Sequence, residues 1–553
     1  MGKQILDASA MKRLPCGYTS LSKIREKNVI YVDKTEYVSS LIMNEARPVF
    51  LSRPRRFGKS LLVSVFESLF SNRKEYFKGL AIENDDYWKE EKTYKVVRLD
   101  FSRYASMDSE NLKKCLTRDI ASGYSDFKQL EVLDEQGNFN EPSYMVSQIY
   151  KYADTSSVVL LIDEYDAPIT HHMSEPEEQK KIIAILSSFF ATIKSCEGVF
   201  RFVFITGITR LAHVSLFSMF NNLLDITAND KYSTLLGITE QELHKHFDPY
   251  VRNAASVLDM STEEVYARMK SSYNGFQFSI NAEETVYNPW SILSFLKEPE
   301  NGFFNYWYST SGGTPTILVE YLKRIDNLDL FNMLRYRDGS SDDKDILVDN
   351  DTLLSKSEPD QIPMEMLLFQ TGYYTLKQEA KGLGRLVIPN DEIAESMIKL
   401  SQDIHNLKTT PGTRKKLAGL PKLLEAGDIE SVFNLFNTLL CECVSSNSKA
   451  FNDENTIRDI IYSQIPQEEI SKAKEVINSQ GYSDLELKTA RTKLVIEFKR
   501  IQESGGEESA LKDAISQMRT HHYGETTEDI KLIRVAMIIC TATRSLTAYR
   551  VVD

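Results

Sequence analysis

The stretch Val49 to Phe70, VFLSRPRRFGKSLLVSVFESLF, constrains this chain most, because it sets a strand, a turn and a helix in a fixed order. Val49, Phe50 and Leu51 form a short apolar run, Gly58-Lys59-Ser60 follow, and Leu61, Leu62, Val65, Phe66, Leu69 and Phe70 then recur at helical spacing. Such an order converges backbone amides and a helix N-terminus on phosphate oxygens, which the lysine also reaches, while the hydroxyl holds Mg2+. Where the GxxxxGKS/T phosphate-loop pattern has its first Gly, this chain has Arg53, so the loop Arg53 to Ser60 is stiffer and more basic than usual.

Four apolar segments, Pro48 to Ser52, Lys95 to Phe101, Ser157 to Ile162 and Phe200 to Thr206, are short, continuous and rich in Val, Ile and Phe. Strands buried on both faces of a parallel sheet read this way. Helical patterns separate them, notably Lys181 to Lys194, and an α/β P-loop domain is expected over residues 14–237. Residues 238–336 read as a helical lid region whose aromatics, as in Tyr273-Asn274-Gly275-Phe276, favour packing around turns over an exposed face. After the polar run Arg337 to Asp345, residues 337–395 read as a winged-helix-like module: a helix ending at Gly372, then a hairpin of Tyr373 to Lys377 and Arg385 to Pro389. It would either couple nucleotide state to the rest of the protein or read a groove. Residues 396–450 read as a helical connector and 451–553 as a second α/β domain.

Length and charge bound the answer. A chain of 553 residues is too long for one core, and a net charge of -13 argues against coating nucleic acid or anionic membrane over the whole surface. Contact with DNA or RNA then requires a local basic groove. No apolar segment suits a signal peptide or a membrane span, and six scattered cysteines without a CxxC pair suit a reducing cytoplasm. Core packing is the favoured reading of Cys441 and Cys443, and His244 and His246 lack partners at ligand spacing.

Val158 to Glu164, VVLLIDE, is an apolar strand ending in two carboxylates. Downstream of a phosphate loop, Asp163 would hold Mg2+ with Ser60, and Glu164 would polarise the attacking water. In Thr206-Gly207-Ile208-Thr209-Arg210, Thr206 or Thr209 is placed to sense a γ-phosphate, and Arg210 either supplies charge to it or pairs with a surface carboxylate. Together with Leu14-Pro15-Cys16-Gly17-Tyr18, Tyr31-Val32-Asp33-Lys34-Thr35, Phe217-Ser218, Asn221-Asn222-Leu223 and Gly372-Tyr373, these motifs resemble the AAA-ATPase-like family of bacterial proteins over most of residues 14–395. In that family the Arg-Pro-Arg-Arg-Phe-Gly-Lys-Ser loop is the usual form. The resemblance implies ATP binding, with Arg56, Gly58, Lys59, Ser60, Asp163, Thr206 and Arg210 as nucleotide-site residues.

A second constellation lies near the C-terminus. Gly481 to Leu487, GYSDLEL, leads into Lys493 to Arg500, KLVIEFKR, where Glu497 and Lys499 share one strand face with Val495, while Ile496 and Phe498 take the other. With Asp484 on a neighbouring strand, two carboxylates and a lysine would bind Mg2+, orient water and offset phosphate charge during in-line attack. The alternative is a surface strand with its charges in water. A helix carrying Glu454 precedes, a helix from Glu507 to His521 with Gln517 follows, and strands Leu532 to Ile539 and Leu546 to Val552 complete an order that resembles the PD-(D/E)XK nuclease superfamily. That resemblance implies Asp484 and Glu497 as metal ligands, Lys499 as catalytic lysine, and Glu454 and Gln517 as supporting residues; Tyr482 stands where the family often has Arg.

Two functions fit. One is an Mg2+-dependent nuclease gated or powered by ATP, acting on nucleic acid, with DNA the first choice and defence against foreign DNA as a role. The other is a nucleotide switch of the STAND signalling type whose C-terminal domain binds a partner or nucleic acid without cutting. Homo-oligomerisation is compatible with either.

Overall fold

The computed structural model describes residues 12–43, 48–85, 92–124, 130–211, 223–309, 316–322, 346–355, 361–404, 410–443, 454–465, 470–478, 481–524 and 530–552. They divide into two compact units, Met1–Tyr321 with Asp343–Ser396, and Leu322–Asp342 with Met397–Asp553.

The first unit is built on a sheet of β1 (Val49–Ser52), β2 (Lys95–Asp100), β3 (Val158–Asp163), β4 (Phe200–Gly207) and β5 (Leu224–Asp225) in the order β2-β3-β4-β1-β5, every neighbouring pair parallel. The four apolar segments are therefore strands, each within a residue or so of its expected bounds. The two-residue β5 carries too short a pattern to be read in advance. All of β1 and β3 is buried, as the unbroken apolar runs require. Helix α1 (Lys59–Phe70) lies over the sheet, with Phe66 between Phe202 and Phe204 at ring-centroid distances of 4.9 Å from each. In a parallel sheet the C-terminal ends of the strands open a crevice where the strand order reverses. Here β4 lies between β1 and β3, so the phosphate loop, Thr206 and Asp163 all emerge at that end.

The middle of this unit is helical. Helices α2 (Glu240–Leu258) and α3 (Thr262–Tyr273) start at reciprocal capping boxes, Thr239 with Glu242 and Ser261 with Glu264. Their apolar faces enclose Tyr273, Tyr287 and Phe295, so these aromatics are core. A small antiparallel sheet follows, β6 (Leu347–Val348), β7 (Thr375–Ala380) and β8 (Leu383–Val387) in the order β6-β8-β7, with helix α4 (Met364–Thr371) between β6 and β7 in the chain. The hairpin starts two residues later than expected. Tyr373 and Tyr374 both donate their N–H to Leu368 O, finishing the helix after Gly372 at φ 87° instead of opening a strand. The expected polar boundary Arg337 to Asp345 lies outside the described residues, as do Phe217-Ser218 and Asn221-Asn222.

The second unit centres on a mixed sheet of β9 (Ser471–Asn478), β10 (Gly481–Lys488), β11 (Thr492–Ile501), β12 (Lys531–Cys540) and β13 (Ser545–Val552), ordered β13-β12-β11-β10-β9, with only β11 and β12 parallel. Leu485, Leu487, Leu494, Ile496 and Phe498 share one core with Leu424, Val432, Phe436 and Leu439. The helices expected as a connector thus cover this sheet. Val495, Ala536 and Ile538 face the other way, against Leu511, Ala514 and Met518 of helix α5 (Glu507–Thr520).

Candidate functional site

The phosphate loop turns on two residues with positive φ, Arg56 at 68° and Gly58 at 101°, and Gly58 caps α1. Only 5% of Lys59 is exposed, and its Nζ donates to Arg53 O at 2.8 Å and Pro54 O at 2.9 Å, so the ammonium lies across the mouth of the loop. Burial lowers its pKa, while the carboxylates of Glu164, Asp163 and Asp166 pull it back up. A cavity of about 520 Å³ opens over this loop. Its floor is polar, and its walls are apolar, formed by Pro15, Tyr18, Ile30, Leu235, Leu236 and Trp290 among others. Volume, a charged floor and aromatic walls suit a nucleotide, phosphates inward.

The loop arginines divide. Arg53 is 1% exposed and points away from the cavity: Nη1 donates to Ser52 O and Thr227 O, Nη2 to Tyr232 O, and the guanidinium lies 4.3 Å from the Phe278 ring centroid. Burial pulls its pKa down to about 9, so it stays charged at neutral pH. Arg56 lines the cavity and ties the loop to the helical region, donating from Nη1 to Tyr306 O and Trp307 O at 3.0 Å each and lying over Trp290. The N–H groups of Tyr306 and Trp307 in turn donate to the carboxylate of Glu392 at 2.8 and 2.9 Å.

Asp163 ends β3 and Glu164 follows it, at φ 51°, beside Lys59. Burial raises both pKa values; the Ser60 hydroxyl and then the Lys59 ammonium offset it at Asp163, and Lys59 does so at Glu164. Asp163 Oδ1 is buried and accepts no hydrogen bond among the described residues. A buried anionic oxygen without a donor, next to a hydroxyl, fits a hard cation held by Ser60 and Asp163.

The segment after β4 is organised differently from expectation. Thr206 Oγ1 donates to Leu51 O at 2.7 Å, joining β4 to β1. The backbone N–H groups of Ile208 and Thr209 and the Thr209 hydroxyl all donate to Asp166. A Cβ on Gly207 would stand 2.6 Å from Asp166 Oδ1 and from the Tyr165 ring, so only glycine admits this turn. Arg210 is buried, paired with Asp225 and donating to Leu354 O, not aimed at the phosphate end. Of the two readings open for Arg210, pairing with a carboxylate is the arrangement present, though within the fold and not on its surface.

In the second unit, Leu485 pairs with Ile496, so the antiparallel register carries Asp484 opposite Glu497 on one sheet face. Asp484 Oδ2 accepts the N–H of Phe498 at 2.7 Å, and Lys499 Nζ donates to Glu497 Oε1 at 2.9 Å. Glu497 is 1% exposed. Oxygen donors beside an ammonium fit Mg2+ chemically, and no group of three or more His, Cys, Asp or Glu side chains gathers among the described residues. Gln517 Nε2 donates to the Tyr523 hydroxyl at 2.9 Å. Burial raises the Tyr523 pKa, the Gln517 hydrogen bond lowers it, and the Glu497 and Asp484 carboxylates push it up again. Tyr523 therefore belongs to this cluster, as does Arg458, a fully buried guanidinium 3.8 Å from Asp484 Oδ1. Neither was legible, because both arrive from other elements. The side chains of Glu454, which opens the helix Glu454–Gln464, and of Tyr482 lie outside the described residues. Lys493 pairs with Glu486.

Two segments define the class of protein. Residues 15–217 match the family described as Predicted AAA-ATPase, and residues 452–548 match the PD-(D/E)XK nuclease superfamily. The chain thus carries an AAA-ATPase-like segment followed by a nuclease-superfamily segment. A similar curated protein is the "Uncharacterized protein in vnfD 5'region" of Azotobacter chroococcum mcd 1, 29% identical over 504 residues, covering 89% of this chain and 90% of that one. Among solved structures, the Walker-type ATPase paby2304 of Pyrococcus abyssi is similar at 10% identity and a TM-score of 0.32, over 66% of this chain and 94% of that one. No helix among the described residues is long and apolar enough to cross a membrane.

Proposed function

We propose that this chain is an ATP-controlled, metal-dependent nuclease, with ATP bound by a domain over residues 14–237 and nucleic acid, DNA first among candidates, cut by a domain over residues 451–553. The observation that carries this reading is the grouping of Asp484, Glu497 and Lys499, with Lys499 Nζ 2.9 Å from the Glu497 carboxylate. Lys59 would reach the phosphates, Ser60 and Asp163 would hold Mg2+, and Glu164 would orient the attacking water, taking up its proton as burial favours. In the second unit Asp484 and Glu497 would hold Mg2+, Lys499 would offset charge on the scissile phosphate, and Tyr523, held by Gln517, would keep the carboxylates in place. Mg2+ bound at either site would supply Lewis acidity and a more acidic water.

The test is cleavage of single- and double-stranded DNA and RNA by wild type, Lys59→Ala and Glu497→Ala, with and without ATP. Cutting that is lost in Glu497→Ala and altered by ATP only when Lys59 is intact supports the reading. Wild type that cuts none of the substrates with Mg2+ or Mn2+ refutes it. A switch that binds ATP tightly and turns it over slowly is the second reading. It is favoured by one observation: Arg210 is engaged by Asp225, which removes one expected contributor to hydrolysis. Rapid, DNA-stimulated hydrolysis would exclude it.

A further inference from the structure

We infer that Arg55 is the residue that distinguishes a nucleoside triphosphate from a diphosphate in this pocket, by pairing with the γ-phosphate from within the loop itself. This rests on the nucleotide reading of the pocket. The loop and the end of β4 bring four arginines near the site, and their placements differ. Arg53 is buried against the carbonyls of Ser52, Thr227 and Tyr232, Arg56 bonds the carbonyls of Tyr306 and Trp307, and Arg210 pairs with Asp225.

Arg55 has a different setting. It lines the nucleotide cavity and also a second cavity of about 210 Å³, which is bounded by Ser102, Thr170, His171 and Ile208 among others. Glu164 is the other residue shared by both cavities. The carboxylate that would orient the attacking water therefore stands at the junction with Arg55, which is the γ-phosphate end.

The chemistry follows from the fork of the guanidinium. It bonds a terminal phosphate through two parallel N–H donors, which a diphosphate bound at the same floor leaves unused at that end. Lys59, lying across the loop mouth, serves the inner phosphates as well and would not discriminate. Arg55 is half-exposed, so its replacement disturbs no core.

The experiment is titration calorimetry on the full chain with Mg2+, using ADP and a non-hydrolysable ATP analogue, for wild type, Arg55→Ala, Arg55→Gln and Arg55→Lys. The expected result is a loss of ten-fold or more in analogue affinity for Arg55→Ala and Arg55→Gln, with ADP affinity kept within two-fold and Arg55→Lys intermediate. Equal losses for both ligands, or no loss for either, overturn the inference while leaving the nucleotide pocket standing. Wild type that binds neither ligand overturns the pocket reading and this inference with it. Arg55→Gln and Arg55→Lys carry the comparison if Arg55→Ala does not fold.

Discussion

Arg53→Gly would restore the usual first glycine of the phosphate-loop pattern, and motif logic alone expects a neutral or helpful change. The structure predicts the opposite. Arg53 donates to Thr227 O at 2.6 Å and Tyr232 O at 3.2 Å, both far away in sequence, and its guanidinium packs on Phe278. Removing it costs Thr227 O its guanidinium donor, at about 1–3 kcal/mol, while Tyr232 O keeps the Leu235 N–H at 3.3 Å. Loss of a desolvated cation–π contact adds roughly 2 kcal/mol, and glycine's unfolded-state freedom adds about 0.5–1 kcal/mol. Relief of guanidinium desolvation offsets several kcal/mol of this sum. The net is a destabilisation of about 1–3 kcal/mol, confined to the unit containing β1 and β5. Because two units preclude a single unfolding free energy, amide hydrogen exchange followed by peptide mass spectrometry is the suitable assay. Peptides covering residues 48–60 and 224–234 should exchange roughly one to two orders of magnitude faster, while those covering 492–501 keep wild-type protection. An Arg53→Gly protein with unchanged exchange in both regions and intact ATP affinity refutes the argument.

Three further outcomes are expected. Lys59→Ala should weaken ATP binding by about 2 kcal/mol, roughly thirty-fold, from the loss of a charge-assisted contact, read by displacement of a fluorescent nucleotide. Glu497→Gln and Lys499→Ala should each slow cleavage on the order of 10²–10⁴-fold while leaving ATP affinity within two-fold of wild type, as gel-based cleavage and calorimetry would report. Glu392 is buried, and its pKa is raised to about 7, with burial outweighing the donors Ser291, Trp307 and Tyr306 and the Arg56 charge. The fold therefore favours its protonated form, a stabilisation fully present below pH 4.5 and lost as pH rises through 7, by roughly 3 kcal/mol. Protection of residues 291–307 should fall between pH 5 and 8 in wild type, and Glu392→Gln should flatten that slope.

Local patterns carried much of the architecture. Strands β1, β3 and β4 were legible because a strand buried on both faces must be apolar nearly throughout, and few other elements are so short and so uniform. The face assignment on β11 was equally legible, since alternation is forced by the pleat: Val495 meets α5 while Ile496 and Phe498 meet the opposite core. The helices at 411–443 looked like a connector because their amphipathic pattern says that an apolar face exists, not what it covers.

Side chains at the sites divide the same way. Lys59, Asp163, Glu164, Glu497 and Lys499 could be named from sequence because each sits at a position dictated by its own element: a helix N-terminus, a strand end, or alternate residues of one strand. What Arg53, Arg56 and Arg210 touch could not be named, since a long cationic side chain has several directions open to it and takes the one where buried carbonyls or a carboxylate wait. Only the tertiary structure brought those acceptors within reach, from residues 225–232 and 306–307, and only it brought Arg458 and Tyr523 to the carboxylates of the second unit. The sequence by itself determined which chemistry each strand end carries; the packing of distant elements decided which charges face it, because hydrogen-bond partners separated by a hundred residues leave no periodic trace in the chain.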